Sequence, residues 1–320
     1  MNTPKSVLSL LFFALLASSS FAQNKIKALI VDGQNNHEHW PKITVMMKTY
    51  MEKTGLFEVD IQRTQYTWRG EEFLPEYQIE GMPQTEALEK SKQDPNFAPE
   101  FKGYDLVVIN FGWDAAPWPK STHKSFEKFV KKGGGVVIVH AADNSFPEWE
   151  AYNKMIGLGG WGDRNEKDGP YVYFDRQGVL QRDMKPGPAG SHGPQHEFRV
   201  EIREPEHPIT KGMPEIWRHT SDELYDGLRG PAQKMTILAT AFSAPFKRGT
   251  NRHEPMMMTI DYKRGRIFHT PMGHDDESWE CVGLMTTFLR GAEWAATKKV
   301  TIPIPEDFPT ERFISKRKFD

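Results

Sequence analysis

Short apolar runs that stop abruptly at polar residues constrain this chain most. Ile26 to Val31 (IKALIV), Leu106 to Asn110 (LVVIN) and Val136 to Val139 (VVIV) are too short for buried helices and rich in β-branched residues. Such runs suit strands covered on both faces, as in a parallel sheet. Phe57 to Ile61 reads as another short strand. The stretch from Pro41 to Gly55 and that from Thr122 to Gly133 carry helical apolar spacing and stop at glycine. Strands alternating with helices imply βαβ units, hence a mostly parallel sheet flanked by helices. Strand patterning returns at 198–202, 235–241, 256–262 and 266–270, with Lys263-Arg264-Gly265 as a hairpin turn. These strands predict an antiparallel extension, and Glu277 to Thr297 a closing helix. Polar, Pro- and Gly-rich stretches near 66–103 and 157–195 read as insertions in a single domain spanning 23–320.

The first 22 residues have a different logic. Lys5 precedes the apolar run Val7 to Leu16, and Ser20-Phe21-Ala22 offers small residues where a leader would be cleaved. This predicts a signal peptide and an exported, periplasmic mature chain. The run is short for a bilayer anchor. The lone cysteine, Cys281, has no partner for an internal disulfide. With 41 basic and 43 acidic residues, the net charge of −2 offers no general attraction to nucleic acid or anionic membrane. A small molecule is the expected partner.

In open α/β sheets ligands bind beyond the carboxyl ends of the strands. Here those ends are polar. The first runs into DGQNNHEHWP, with His37, His39 and Trp40, and the third into NFGWDAAPW, with Trp113 and Asp114. The fourth runs into HAADNS, with His140 and Asp143. The last runs into HTPMGHDDESW, with His269, His274 and Asp275. His39 is expected in the pocket ahead of His37. Trp40 is either a staple for the following helix or a platform for a sugar face. His192 and His196 frame the segment SHGPQHE, which reads as a loop over the strand ends, with His196 the candidate for the pocket. Ser221-Asp222 before Glu223-Leu224-Tyr225 reads as a helix cap or as part of a site.

The stretches KALIVDGQNNHEHW, YDLVVINFGW, FVKKGGGVVIVHAAD, SHGPQHEFRVEIREPEHPITKGMP, SDELYDGL and GRIFHTPMGHDDESW, in this order, resemble the ThuA-like family, named for trehalose utilisation. The resemblance implies a flavodoxin-like fold of the class I glutamine amidotransferase type. The amidotransferases carry a nucleophilic cysteine at the strand-to-helix elbow, whereas this chain has His140 at about that point. Glutamine hydrolysis through a thioester is therefore not expected. The resemblance also implies carbohydrate chemistry through 3-oxo-sugars, and makes the Asp-Glu-Leu-Tyr segment a hallmark. Candidate catalytic residues are His140, Glu223, His39 and His274. Candidate substrate contacts are Trp40, Trp113, Asp114, Asp143, His196 and Tyr225. His39, His140, Glu223 and His274 would also suit a divalent ion such as zinc if they converge. Isomerisation or elimination of a keto-sugar fits this inventory. The alternatives are a non-catalytic sugar-binding protein and a metal-dependent hydrolase.

Overall fold

A computed structural model describes residues 24–319; the expected leader lies outside them. The elements run β1 (Ile26–Gln34), α1 (Trp40–Lys53), β2 (Phe57–Trp68), β3 (Glu86–Leu88), β4 (Leu106–Asn110), α2 (Lys120–Lys131) and β5 (Gly135–Val139). A 3-10 turn (His140–Asn144) leads to α3 (Glu150–Ile156), β6 (Tyr171–Phe174), β7 (Leu180–Asp183), β8 (Ser191–His192), β9 (His196–Ile202), β10 (Ile216–Asp222) and β11 (Tyr225–Asp226). β12 (Met235–Ser243), β13 (Arg252–Tyr262), β14 (Gly265–Thr270), α4 (Asp276–Trp279) and α5 (Val282–Thr297) complete the chain.

The main sheet has the order β10-β9-β12-β13-β14-β5-β4-β1-β2-β3, with β6 and β7 attached beside β13. From β14 to β3 every pairing is parallel. From β14 to β10 every pairing is antiparallel. The fold is thus the expected α/β sheet with an antiparallel extension. Four successive reversals restore the original direction, so β10 points the same way as β14. Its carboxyl end, carrying Asp222 and then Glu223, therefore lies along the sheet edge where β1, β5 and β14 also end.

Burial on both faces explains the apolar runs. Along β1, Ala28 and Ile30 join a core with Met47 of α1 and Leu284 of α5. Leu29 and Val31, pointing the other way, join a second core with Phe126 of α2 and Tyr152 of α3. Each such side chain removed from water contributes roughly 1.5–3 kcal/mol. Along Ala28–Val31, Leu106–Ile109 and Gly135–Val139 the buried positions are apolar, and the polar groups follow at the carboxyl ends.

Several expectations are corrected. The second strand extends to Trp68 because it pairs with β3 inside the supposed insertion. The excursion at 157–195 folds partly into β6, β7 and β8. The closing helix is split, α5 starting after Cys281, which is its N-cap. Ser221 and Asp222 end a strand and cap no helix. His192 and His196 sit on β8 and β9 instead of on a loop.

Candidate functional site

Five elements deliver side chains to one point. His37 follows β1, His140 follows β5, His274 follows β14, Glu223 follows β10, and His192 ends β8. β8 pairs with β11 so that Tyr225 lies opposite His192. The carboxylate of Glu223 is the centre. His274 Nε2 lies 3.3 Å and His192 Nδ1 3.6 Å from its Oε1, while His140 Nε2 lies 3.7 Å and His37 Nε2 3.9 Å from its Oε2. Tyr225, Asn36, Asn144, Trp113 and Trp161 join His37, His192 and Glu223 in lining a cavity of about 360 Å³.

The backbone is bent to make this possible. His140 has φ 44° and Trp161 has φ 50°, a left-handed region that non-glycine residues adopt at a cost. His140 thus occupies a strained elbow between β5 and the 3-10 turn. Its Nδ1–H donates to Pro271 O at 2.8 Å, and its Nε2 accepts from the Tyr225 hydroxyl at 2.9 Å. Both ring nitrogens are engaged, so His140 ties the loop after β14 to Tyr225. Gly273 has φ 115°, and a Cβ there would come 2.9 Å from Trp279 Nε1; only glycine fits before His274.

Asp222, completely buried, fixes the two acidic and basic partners. One oxygen accepts from the backbone N–H of Glu223 at 2.8 Å and of His274 at 3.1 Å. The other lies 2.7 Å from His219 Nε2 and accepts from Gly273 N–H at 2.8 Å.

Electrostatics divide the cluster. Burial holds His140 well below the ordinary histidine value, helped by His37 and His274. Burial likewise lowers His37 against the opposing Glu223. His274 is raised: burial opposes its charge, but Asp275 and Glu223 outweigh that. Burial would raise Glu223, yet its imidazole neighbours, His37 first, keep it below the ordinary carboxylate value. Burial pushes the Tyr225 phenol well up. At neutral pH the site therefore holds an ionised Glu223, neutral His37 and His140, and a protonated Tyr225.

His140, Glu223, His274, Trp113 and Tyr225 are brought together as expected, and the remaining candidates are not. His39 is the N-cap residue of α1 and lies 3.0 Å from Asp276 Oδ1, because the segment after β1 turns and sends His37 and His39 different ways. His39 is thereby removed from the metal candidates too. Trp40 is fully buried, its Nε1–H donating to Arg69 O, so it offers no sugar platform. Asp114 is exposed on a turn beside Trp113, off the cavity lining. Asp143 is fully buried, 3.1 Å from His269 Nε2. His196 lies with Nδ1 2.8 Å from Pro194 O and its ring beside Phe198. Conversely, His37 and His192 line the cavity where His39 and His196 are the expected candidates. The only available signal, proximity to a strand end, favoured His37 by two residues. Asn36 and Asn144 carry none, whereas Trp161, like Trp113, offers a ring for stacking on a sugar.

A family model for ThuA, described as trehalose utilisation, matches residues 27–295. The chain belongs to the ThuA family. Membership ties this ThuA-family protein to carbohydrate metabolism. It is similar to a ThuA-like protein from Parabacteroides merdae, with 42% identity over 92% of this chain and 98% of that one, TM-score 0.81. A ThuA-like protein from Bacteroides uniformis shares the fold at 18% identity, covering 89% of this chain and 96% of that one, TM-score 0.55. A comparison with curated protein sequences finds no match. No helix among the described residues is long and apolar enough to cross a membrane.

Proposed function

We propose that this ThuA-family protein is an enzyme acting on a sugar or 3-oxo-sugar, removing a proton next to the carbonyl to isomerise the sugar or eliminate a substituent. The observation that carries this reading is one ionised carboxylate, Glu223, within 3.9 Å of four imidazoles at the floor of a tryptophan-walled cavity. Abstraction of a proton α to a carbonyl needs a base and a positive group for the developing enolate oxygen. Glu223 gathers the positive charge, including the proton that His274 retains more readily than an ordinary histidine. His192 is the base: its Nδ1 lies 2.8 Å from Gly193 O, which assigns the proton there and leaves the Nε2 lone pair. His140 and Tyr225 are a neutral, hydrogen-bonded pair that positions substrate hydroxyls. Trp113, 43% exposed, and Trp161 supply apolar faces for sugar C–H groups. The cavity volume suits a small sugar. A histidine in place of a thiol at the elbow argues against amidotransferase chemistry. The leader-like first 22 residues support export of the mature chain.

The test is NMR of a 3-oxo-glucoside with the chain from Gln23 onward in deuterated water. Deuterium uptake or product formation is expected, falling by about three orders of magnitude in Glu223→Gln and by about two in His192→Ala. Ligand binding without exchange would instead identify a sugar-binding protein.

A further inference from the structure

The cluster contains a smaller set whose hydrogen bonding differs from the rest. His37 Nδ1 lies 3.2 Å from Asn35 Oδ1, an acceptor, so that nitrogen carries the proton. His274 Nδ1 lies 3.4 Å from Asp275 Oδ2 and 2.8 Å from the Gln195 amide, whose N and O interchange by rotation about the terminal bond. Each ring is thus oriented through Nδ1, and each aims Nε2 at Glu223. A weak approach of Asn36 Nδ2 to His37 Nε2, at 3.5 Å, adds no charge. Both Nε2 atoms thus converge on the carboxylate, where either a proton on His274 or a cation held between the three groups supplies the positive charge. The other two histidines are not arranged this way. His140 has both nitrogens engaged, and His192 turns Nδ1 to Gly193 O.

We infer that His37 Nε2, His274 Nε2 and the Glu223 carboxylate form a three-ligand site for a divalent cation of the zinc class. One donor atom from each lies within 4.8 Å of the other two. Ligand atoms about 2.1 Å from a tetrahedral ion lie about 3.4 Å apart; His274 Nε2 already lies 3.3 Å from Glu223 Oε1, while His37 Nε2, 3.9 Å from Oε2, has to move inward. Two imidazoles and one carboxylate, with no thiolate, suit zinc, cobalt or iron(II) over softer or all-oxygen ions. Three protein ligands leave coordination positions open, and His37 and Glu223 line the cavity, so those positions face the substrate space. Asn35 and Asp275 act as the outer partners that fix ring orientation. Asp222 sets the backbone of two of the three ligands. This inference rests on the proton-abstraction reading for its use: a cation at Glu223 would polarise the sugar carbonyl, leaving His192 to take the proton.

The test starts with the full chain stripped by a chelator, then titrated with cobalt(II) and followed by visible absorption, with zinc content measured after dialysis. One ion per chain is expected. His37→Ala and His274→Ala should each weaken binding about 100-fold or more, and Asn35→Ala about tenfold, while Tyr225→Phe stays within threefold. Circular dichroism checks that each variant folds, and the wild-type titration needs no variant. Absence of a cobalt band in the wild type would overturn the site, as would undiminished binding in both histidine variants. Deuterium exchange that persists in the stripped protein would overturn its catalytic use yet leave the proton-transfer proposal standing. A bound ion without exchange on any 3-oxo-sugar would do the reverse.

Discussion

Histidine meets carboxylate in two regions of this molecule, with opposite consequences. Beneath the sheet edge, His219 with Asp222 and His269 with Asp143 are completely buried pairs. Burial opposes a charge on His219, but Cys281 and Asp222 outweigh it and push its pKa up to about 10. His269 is held at both nitrogens, by Asp143 and by Ile156 O. In the cavity, His37, His192 and His274 surround Glu223 at longer range and remain partly exposed. The same residue types build scaffold where every partner is inside the fold, and a reactive site where partners are left over for a ligand. Burial separates the two; residue identity does not.

The strongest way to break that comparison is Asp222→Ala. It leaves buried His219 with Cys281 alone of its two acidic partners and unties the backbone of Glu223 and His274. Urea denaturation should show a loss of roughly 3–5 kcal/mol, accompanied by loss of cobalt binding. Unchanged metal affinity would show that scaffold and site are independent.

A buried carboxylate without an imidazole sharpens the contrast. Glu254 is raised to about 7, chiefly by burial and further by Asp226, although Thr250 hydrogen-bonds to it. Because its folded pKa exceeds its unfolded value near 4.5, ionising it costs stability. That cost is absent below pH 4.5, grows up to pH 7 and is constant above, reaching about 3 kcal/mol. Glu254→Gln should therefore stabilise the protein at pH 8 and change little at pH 4.5. Equal effects at both values, read by thermal unfolding, would refute this account.

Smaller effects are expected at the rim. Trp113→Ala should raise the KM for a 3-oxo-glucoside about tenfold, with little change in melting temperature, since Trp113 is 43% exposed. A drop in kcat alone would remove it from substrate contact. His39→Ala breaks only a part-exposed pair with Asp276 and should cost under about 1 kcal/mol, with turnover within about twofold. A larger activity loss would reinstate His39 as a site residue.

Much of this architecture was legible in the chain because local chemistry dictates it. An apolar run bounded by polar residues can bury both faces only in a covered sheet, so β1, β4 and β5 were readable, as were their polar ends. His140, His274 and Glu223 were readable because they directly follow such ends or lie in a family segment. β10 was missed because IWRHTSD alternates buried and partly buried positions and carries charge, reading as a strand only once β9 is beside it. His37 lies nearer the strand end, but that alone does not send it and His39 different ways: two residues apart, they diverge because the backbone turns there.

The sequence by itself determined the layered α/β plan, the family, and the collection of ionisable residues at strand ends, since hydrophobic periodicity acts over a few residues. Tertiary structure alone decided which histidines face Glu223 and which vanish into buried pairs. That choice depends on four antiparallel reversals bringing β10 back to the shared edge, and on pairings such as Tyr225 with His192 between segments far apart in the chain. Such contacts are set by the packing of the whole sheet, and no local pattern encodes them.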